Sequence, residues 1–84
     1  MATYMVERFS ISEPGGMRSR HATLAEANSA YDAAIRWYQQ HTEHRVAWVN
    51  LVSKDKRLRL RYLRHWECKR RSPLLAIGTR EHGQ

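Results

Sequence analysis

Apolar residues recur at helical spacing between Thr23 and Gln40. The repeating positions lie three or four residues apart, and they are Leu24, Ala27, Tyr31, Ala34 and Tyr38, joined by Ile35. A period of about 3.6 residues places them on one side of an α-helix. Thr23 and Glu26 have the spacing of a capping box, in which the Thr23 hydroxyl accepts from the Glu26 amide and the Glu26 carboxylate reaches back to the Thr23 amide. The pattern therefore predicts a helix over 23–40 with one apolar face.

Residues Thr3–Ile11 are rich in β-branched and aromatic side chains, which favours a strand. Ser12–Gly16 has the composition of a turn, because Pro14 presets φ and Gly15 accepts the positive φ that follows it in a type II turn. Met17–Ala22 then forms either a short edge strand or an extended loop, and the residues leave both open.

The stretch His44–Trp66 predicts a β-hairpin. A loop at Lys54–Arg57 would set Ser53 opposite Leu58, with two further pairs: Leu51 opposite Leu60 and Val49 opposite Tyr62. The face toward the helix would then carry Ala47, Val49, Leu51, Leu58, Leu60, Tyr62 and Trp66. The other face would carry Val46, Trp48, Asn50, Val52, Arg59, Arg61, Leu63 and His65.

These elements predict a small single α+β domain over 1–84, in the order β-(β)-α-β-β. An antiparallel sheet of three to four strands would pack one face on the helix. We expect an ordered core over about 1–71 and, over 72–84, a short strand at Leu74–Ile77 or a frayed basic tail. One helix covers one side of a sheet, so the second face would serve a partner or a homodimer.

The net charge of +7 is concentrated in one segment. Residues 54–71 contain nine basic residues against Asp55 and Glu67, and the other 66 residues sum to zero. Such a patch favours an anionic partner, and arginines with an exposed tryptophan favour nucleic acid. The predicted binding residues are Trp48, Lys54, Lys56, Arg57, Arg59, Arg61, Arg64, Lys69, Arg70 and Arg71. The alternative is that the cations only keep the protein soluble and that Trp48 is buried in a dimer.

Motifs that would specify a chemistry are missing from the sequence. We find no Gly-rich phosphate loop, nucleophile elbow or placed carboxylate pair, so we predict no catalytic residues, no cofactor and no small-molecule substrate. Helix-turn-helix, zinc-finger and RNA-recognition signatures are absent too, which leaves DNA versus RNA and any base preference open. The single cysteine, the lack of a long apolar run and an N-terminus unlike a secretory signal predict a cytoplasmic protein without a membrane segment.

A zinc site is a further possibility that the sequence raises. His41, His44, His65 and Cys68 would meet at the open end of the hairpin and could supply a tetrahedral shell. However, His65 and Cys68 are three residues apart, and side chains at that spacing diverge on a regular strand. We therefore assign no metal ligand.

The string LLAIGTRE (Leu74–Glu81) resembles the last strand of the RelE/ParE toxin superfamily. That resemblance covers under a quarter of the chain, and one helix is readable here where the family has an N-terminal pair. It implies a small ribonuclease that works with sheet-borne basic residues. The residues it would use for phosphate stabilisation and proton transfer are Arg59, Arg61, His65 and Arg80.

Size and architecture are also similar to those of phage- and plasmid-borne accessory factors, which include inhibitors of host defence complexes. A protein-interaction or inhibitor module of a mobile genetic element is therefore an alternative function. Because the whole net charge lies in one segment, our leading prediction is a non-catalytic basic module that binds nucleic acid or a nucleoprotein through the hairpin.

Overall fold

The computed structural model describes residues 2–70, which form four strands and one helix. In chain order these are β1 (Thr3–Ser10), β2 (Glu13–His21), α1 (Leu24–Gln40), β3 (Val46–Lys54) and β4 (Leu60–Lys69). The strands make one antiparallel sheet in the order β2-β1-β3-β4, and α1 packs on one face of it. This confirms the predicted α+β class. The predictions for residues 71–84 lie outside the described residues.

Helix α1 begins where the capping pattern places it. The Thr23 hydroxyl accepts from the Glu26 amide at 3.2 Å, as predicted. The carboxylate of Glu26, however, accepts from that hydroxyl at 3.0 Å instead of from the backbone of Thr23. Leu24 is 42% exposed, because contacts between the helix and the core begin one turn later, at Ala27. Within the described part of the chain, no helix is long and apolar enough to cross a membrane.

The core lies between α1 and the two central strands. The helix contributes Ala27, Tyr31, Ala34 and Tyr38, and the sheet contributes Val6, Ala47, Val49 and Leu51. Ala27 and Ala47 are both fully buried. Their small side chains let the helix backbone approach β3 closely, so the apolar stripe of α1 is buried on alternate residues of β1 and β3.

The turn between β1 and β2 differs from the prediction. The chain reverses at Ile11 and Ser12, and residues 14–16 form a bulge inside β2, where the register changes. Gly15 and Gly16 have φ values of +98° and +62°, which a bulge can use as readily as a turn. A Cβ atom on Gly16 would lie 2.5 Å from a ring carbon of Phe9, so the backbone passes directly over that ring.

The register of the β3–β4 hairpin also differs from the prediction. Leu51 lies opposite Arg64, and Lys54 lies opposite Leu60. Two local features cause the shift. The hairpin turns around Arg57, later in the chain than expected, and the register slips by one residue between Leu51 and Val52, which leaves Leu63 as an extra residue in β4.

The new register changes which residues of β4 join the core. Trp66 packs against the core, as predicted, and Cys68 joins it, whereas three other residues predicted there do not. Those three are Leu58, Leu60 and Tyr62, which are 70%, 54% and 63% exposed. A one-residue bulge exchanges the two faces of a strand. Leu60 and Tyr62 therefore lie on the face opposite the helix, whereas Arg64 and Trp66, which follow Leu63, lie on the helix face.

Candidate nucleic-acid interface

The sheet face opposite α1, here the outer face, is arranged in cross-strand rows. In strand order, the first row is Arg20, Met5, Val52 and Tyr62, and the second is Arg18, Glu7, Asn50 and His65. A third row contains Phe9, Trp48 and Glu67. Among the described residues no secondary-structure element covers this face, as predicted from the single helix.

Several polar groups on the outer face are bonded to one another. Glu7 and Arg18 form a salt bridge at 3.0 Å, and His65 is hydrogen-bonded to Asn50. The indole nitrogen of Trp48 donates to the Glu67 carboxylate at 3.1 Å. Trp48 therefore lies on the predicted face, but it is partly buried and its polar atom is occupied.

Asp55 fixes the backbone of the hairpin loop. Its carboxylate accepts from the amides of Arg57 and Arg59 at 2.8 and 2.9 Å, and its carbonyl accepts from the Leu58 amide at 3.0 Å. Its own amide donates to the Arg59 carbonyl. This is a three-residue hairpin loop, a type I turn followed by a left-handed residue. The predicted loop at Lys54–Arg57 therefore begins two residues too early and ends one residue too early.

Leu58 occupies the left-handed position of that loop, with φ of +62°. Glycine is the residue that this position favours, and a leucine there costs about 1–2 kcal/mol. The side chain is 70% exposed, so burial offsets little of that cost. This is the one non-glycine residue with positive φ in the described chain.

Unpaired cations gather at the loop end of the sheet. This tip cluster consists of Arg20, Lys54, Lys56, Arg57, Arg59 and Arg61. None of the six forms a salt bridge with any residue that the structure describes. The carboxylate of Asp55 is nearest in the chain, and it is already bonded to two backbone amides.

Most acidic residues are bonded elsewhere in the protein. Glu7 pairs with Arg18, Asp32 with Arg64 and Glu13 with His44. Glu26 belongs to the helix cap and Glu67 accepts from Trp48. Within the described residues only Asp55 offsets the positive charge at the tip, and the excess is available to an external anion.

Arg64 was predicted as a binding residue, but the bulge turns it toward the helix. Its guanidinium lies 3.0 Å from the side-chain oxygen of Asn28, 3.5 Å from the carboxylate of Asp32 and 4.3 Å above the ring of Tyr31. These contacts hold β4 against α1. Arg64 therefore has a structural role and lies apart from the tip cluster.

Lys69 and Arg70 are at the opposite end of β4 from the loop. Nine residues separate Lys69 from Leu60, which is roughly 30 Å of strand. A guanidinium nitrogen of Arg70 donates to the His44 carbonyl at 3.2 Å. Arg71 lies outside the described residues. The predicted basic surface is thus divided into a tip cluster and a distant pair.

The sequence pattern did not place Arg20 or Leu58 at the tip of the hairpin. Arg20 reaches it because β2 pairs with β1 and sets Arg20 opposite Met5. Leu58 was expected in the core. The strand pattern of Met17–Ala22 could have identified Arg20, because a strand there pairs with β1 and brings Arg20 to the tip.

The histidines and Cys68 do not converge. His65 lies opposite Asn50 on the outer face, whereas Cys68 lies opposite Ala47 on the helix face. His44 is buried and bonded to the Ser10 hydroxyl at 2.8 Å. Over residues 2–70 there is no group of three or more side chains placed to hold a metal ion.

The set of residues implied by the ribonuclease resemblance is also divided. Arg61 lies opposite Ser53 on the helix side of the sheet, and His65 lies on the outer face. Arg80 and the string that carries the resemblance lie outside the described residues. The structure therefore places Arg61 and His65 on opposite faces of the sheet, whereas the sequence pattern predicts both on the outer face.

Comparisons of the chain with protein-family models, with curated proteins and with solved structures found no match. The role of the tip cluster and the outer face is therefore inferred from the residues that form them.

Proposed function

We propose that this protein is a non-catalytic module that binds nucleic acid, free or within a nucleoprotein complex, through the tip cluster. The observation that carries this proposal is the separation of charge. Six cations at one end form no salt bridge among the described residues, while most acidic side chains are bonded elsewhere. Arginine guanidinium groups bind phosphate oxygens in pairs, and each phosphate neutralised releases condensed counterions.

A fixed loop favours such binding. Because Asp55 holds the amides of Arg57 and Arg59, the backbone that presents these cations is ordered before any partner arrives. Less conformational entropy is then lost on association. Tyr62 lies in the same row as Arg20 and is 63% exposed, so it offers a ring on which an unpaired base can stack.

The test is a fluorescence-anisotropy titration with a labelled duplex and a labelled single strand, starting near 50 mM salt and repeated at rising concentrations. Two matched variants follow. Arg57→Gln/Arg59→Gln removes two tip charges, and Arg36→Gln/Arg45→Gln removes two exposed charges outside the tip cluster. For the duplex, the tip variant should lower the slope of log K against log salt by about 2, whereas the control should keep the wild-type slope.

Two results would contradict the proposal. If the wild-type protein bound neither duplex nor single strand near 50 mM salt, nucleic-acid binding would be excluded. If both double variants lost affinity equally, net charge alone would explain the binding and the tip cluster would not be the site.

A protein-interaction or inhibitor role is a second candidate, and it rests on the apolar part of β4. This strand lies at the edge of the sheet, and it exposes Leu60, Tyr62 and Leu63. An edge strand with exposed apolar side chains can pair with another chain, including a second copy. Light scattering would detect a homodimer. Co-purification from the native host that is lost in Leu60→Ser/Leu63→Ser, with nucleic-acid binding retained, would favour a different protein.

A further inference from the structure

The tip of the hairpin presents one apolar side chain among cations. Leu58 is 70% exposed, and Lys56, Arg57 and Arg59 surround it in the chain. On its other side, Arg20 and Lys54 line the same shallow pocket. An exposed leucine in the middle of a positive cluster neither stabilises the core nor adds to the charge.

The backbone conformation of Leu58 costs free energy that the fold offsets only slightly. A glycine at φ of +62° would satisfy the turn without strain, and the exposed side chain gains little from the fold. The loop is held by hydrogen bonds from Asp55, so the side chain has a fixed direction relative to its flanking cations. Backbone strain held by its surroundings is typical of residues that contact a partner.

We propose that Leu58 is a wedge that enters between neighbouring base pairs of a duplex while the tip cations bind the phosphates on either side. This inference rests on the nucleic-acid function proposed above. Apolar side chains inserted in this way unstack one base step and kink the duplex, and the accompanying cations gain phosphate contacts from the bend.

The chemistry of the loop favours a duplex over other anionic partners. A single strand is bound mainly by aromatic stacking, and the loop from Lys56 to Arg59 has no aromatic residue beside Leu58; the exposed ring of Tyr62 lies in β4, outside the loop. An anionic membrane would attract the same cations, but one leucine buries less apolar surface than a single acyl chain, which itself gives weak and reversible binding. A stiff loop with one aliphatic side chain is better suited to opening a base step.

The experiment measures affinity and bending on the same duplex. The duplex carries a fluorophore at each end and a central TA step, which kinks readily. Binding is followed by anisotropy, and bending by energy transfer between the ends. Leu58→Gly removes the side chain and relieves the strain, Leu58→Asn tolerates the same backbone, and Leu58→Met keeps an apolar wedge. Thermal melting of each variant confirms that the fold is retained.

Wild type and Leu58→Met should bind and should raise the energy transfer. Leu58→Gly and Leu58→Asn should bind about 10-fold more weakly and leave the energy transfer near that of the free duplex. If these two variants bound and bent the duplex as the wild type does, the wedge would be excluded while the proposed function stood. If the wild type bound no nucleic acid, both would fail. Leu58-dependent binding to phosphatidylserine vesicles without duplex bending would overturn the wedge in favour of a membrane role.

Discussion

Replacing either of two leucines by alanine, one at a time, tests the register of the β3–β4 hairpin. In the structure Leu51 is 1% exposed and Leu60 is 54% exposed. In the register expected from the sequence, the two would lie opposite each other in the core. Leu51→Ala and Leu60→Ala therefore separate the two arrangements, and they also decide which face of β4 is free to bind a partner.

The expected magnitudes follow from burial. Leu51 belongs to the core cluster under α1, so its truncation loses the transfer free energy of the side chain and leaves a cavity, about 3 kcal/mol in all. Less than half of Leu60 is removed from water, and solvent fills the space that alanine leaves. Its truncation should cost about 1 kcal/mol or less.

The measurement is equilibrium unfolding in urea, followed by tryptophan fluorescence and by circular dichroism. A domain of this length has a free energy of unfolding of roughly 4–13 kcal/mol, so a loss of about 3 kcal/mol is large. With a slope near 1 kcal/mol per molar urea, the midpoint should fall by about 3 M for Leu51→Ala and by less than about 1 M for Leu60→Ala. Both variants should keep the wild-type slope.

Equal destabilisation by the two substitutions would refute the reasoning. It would mean that Leu60 is buried as deeply as Leu51, which requires the register in which they face each other. Leu58 and Tyr62 would then turn toward the core with Leu60, and the outer face would lose the residues on which the second candidate function depends.

Two further predictions concern the β2 bulge and the buried tyrosines. Gly16→Ala should lower the free energy of unfolding by about 2 kcal/mol or more, because its Cβ would lie 2.5 Å from the Phe9 ring. Gly15→Ala has open space around it and should cost only the backbone strain of about 1 kcal/mol. Equal urea midpoints for the two variants would contradict this difference. Burial raises the pKa of Tyr31 and Tyr38 above the usual 10.0, so the unfolded chain loses these protons first as pH rises. The contribution of the two tyrosines to stability should be constant below about pH 10 and should fall above it, and the double variant with phenylalanine at both positions should flatten that fall. A wild-type urea midpoint that stayed constant from about pH 10 to about pH 11 would argue against it.

The helix could be predicted because its signals are local and agree. The capping residue Thr23, the spacing of Ala27, Tyr31 and Tyr38, and the lack of proline all favour one structure. The buried face of β3 was predicted for the same reason, since Ala47, Val49 and Leu51 alternate with partly polar residues. Neither result depended on how distant segments pair.

The hairpin register could not be predicted from alternation alone. Asp55 accepts from two loop amides, and this side-chain effect fixes a three-residue loop at Lys56–Leu58 without the usual glycine signal. Leu63 then reverses the alternation in β4, so that Trp66 is on the core side, as predicted, while Leu60 and Tyr62 are not. The ring of Trp66 stacks on Tyr38 with centroids 6.2 Å apart, and an indole ring buries more surface than the leucines that the pattern favoured.

The bulge at Leu63 also divides the arginines of β4 by role. Arg59 and Arg61 precede it and have no salt bridge within the described residues, whereas Arg64 follows it and is held by Asp32 and Tyr31. A count of charges in the sequence therefore overestimates the site. If the six cations of the tip cluster are the whole site, the slope of log K against log salt on duplex DNA cannot be steeper than about −5. A steeper slope would require cations outside the tip cluster to contact the same duplex, such as Lys69, which lies about 30 Å away along β4.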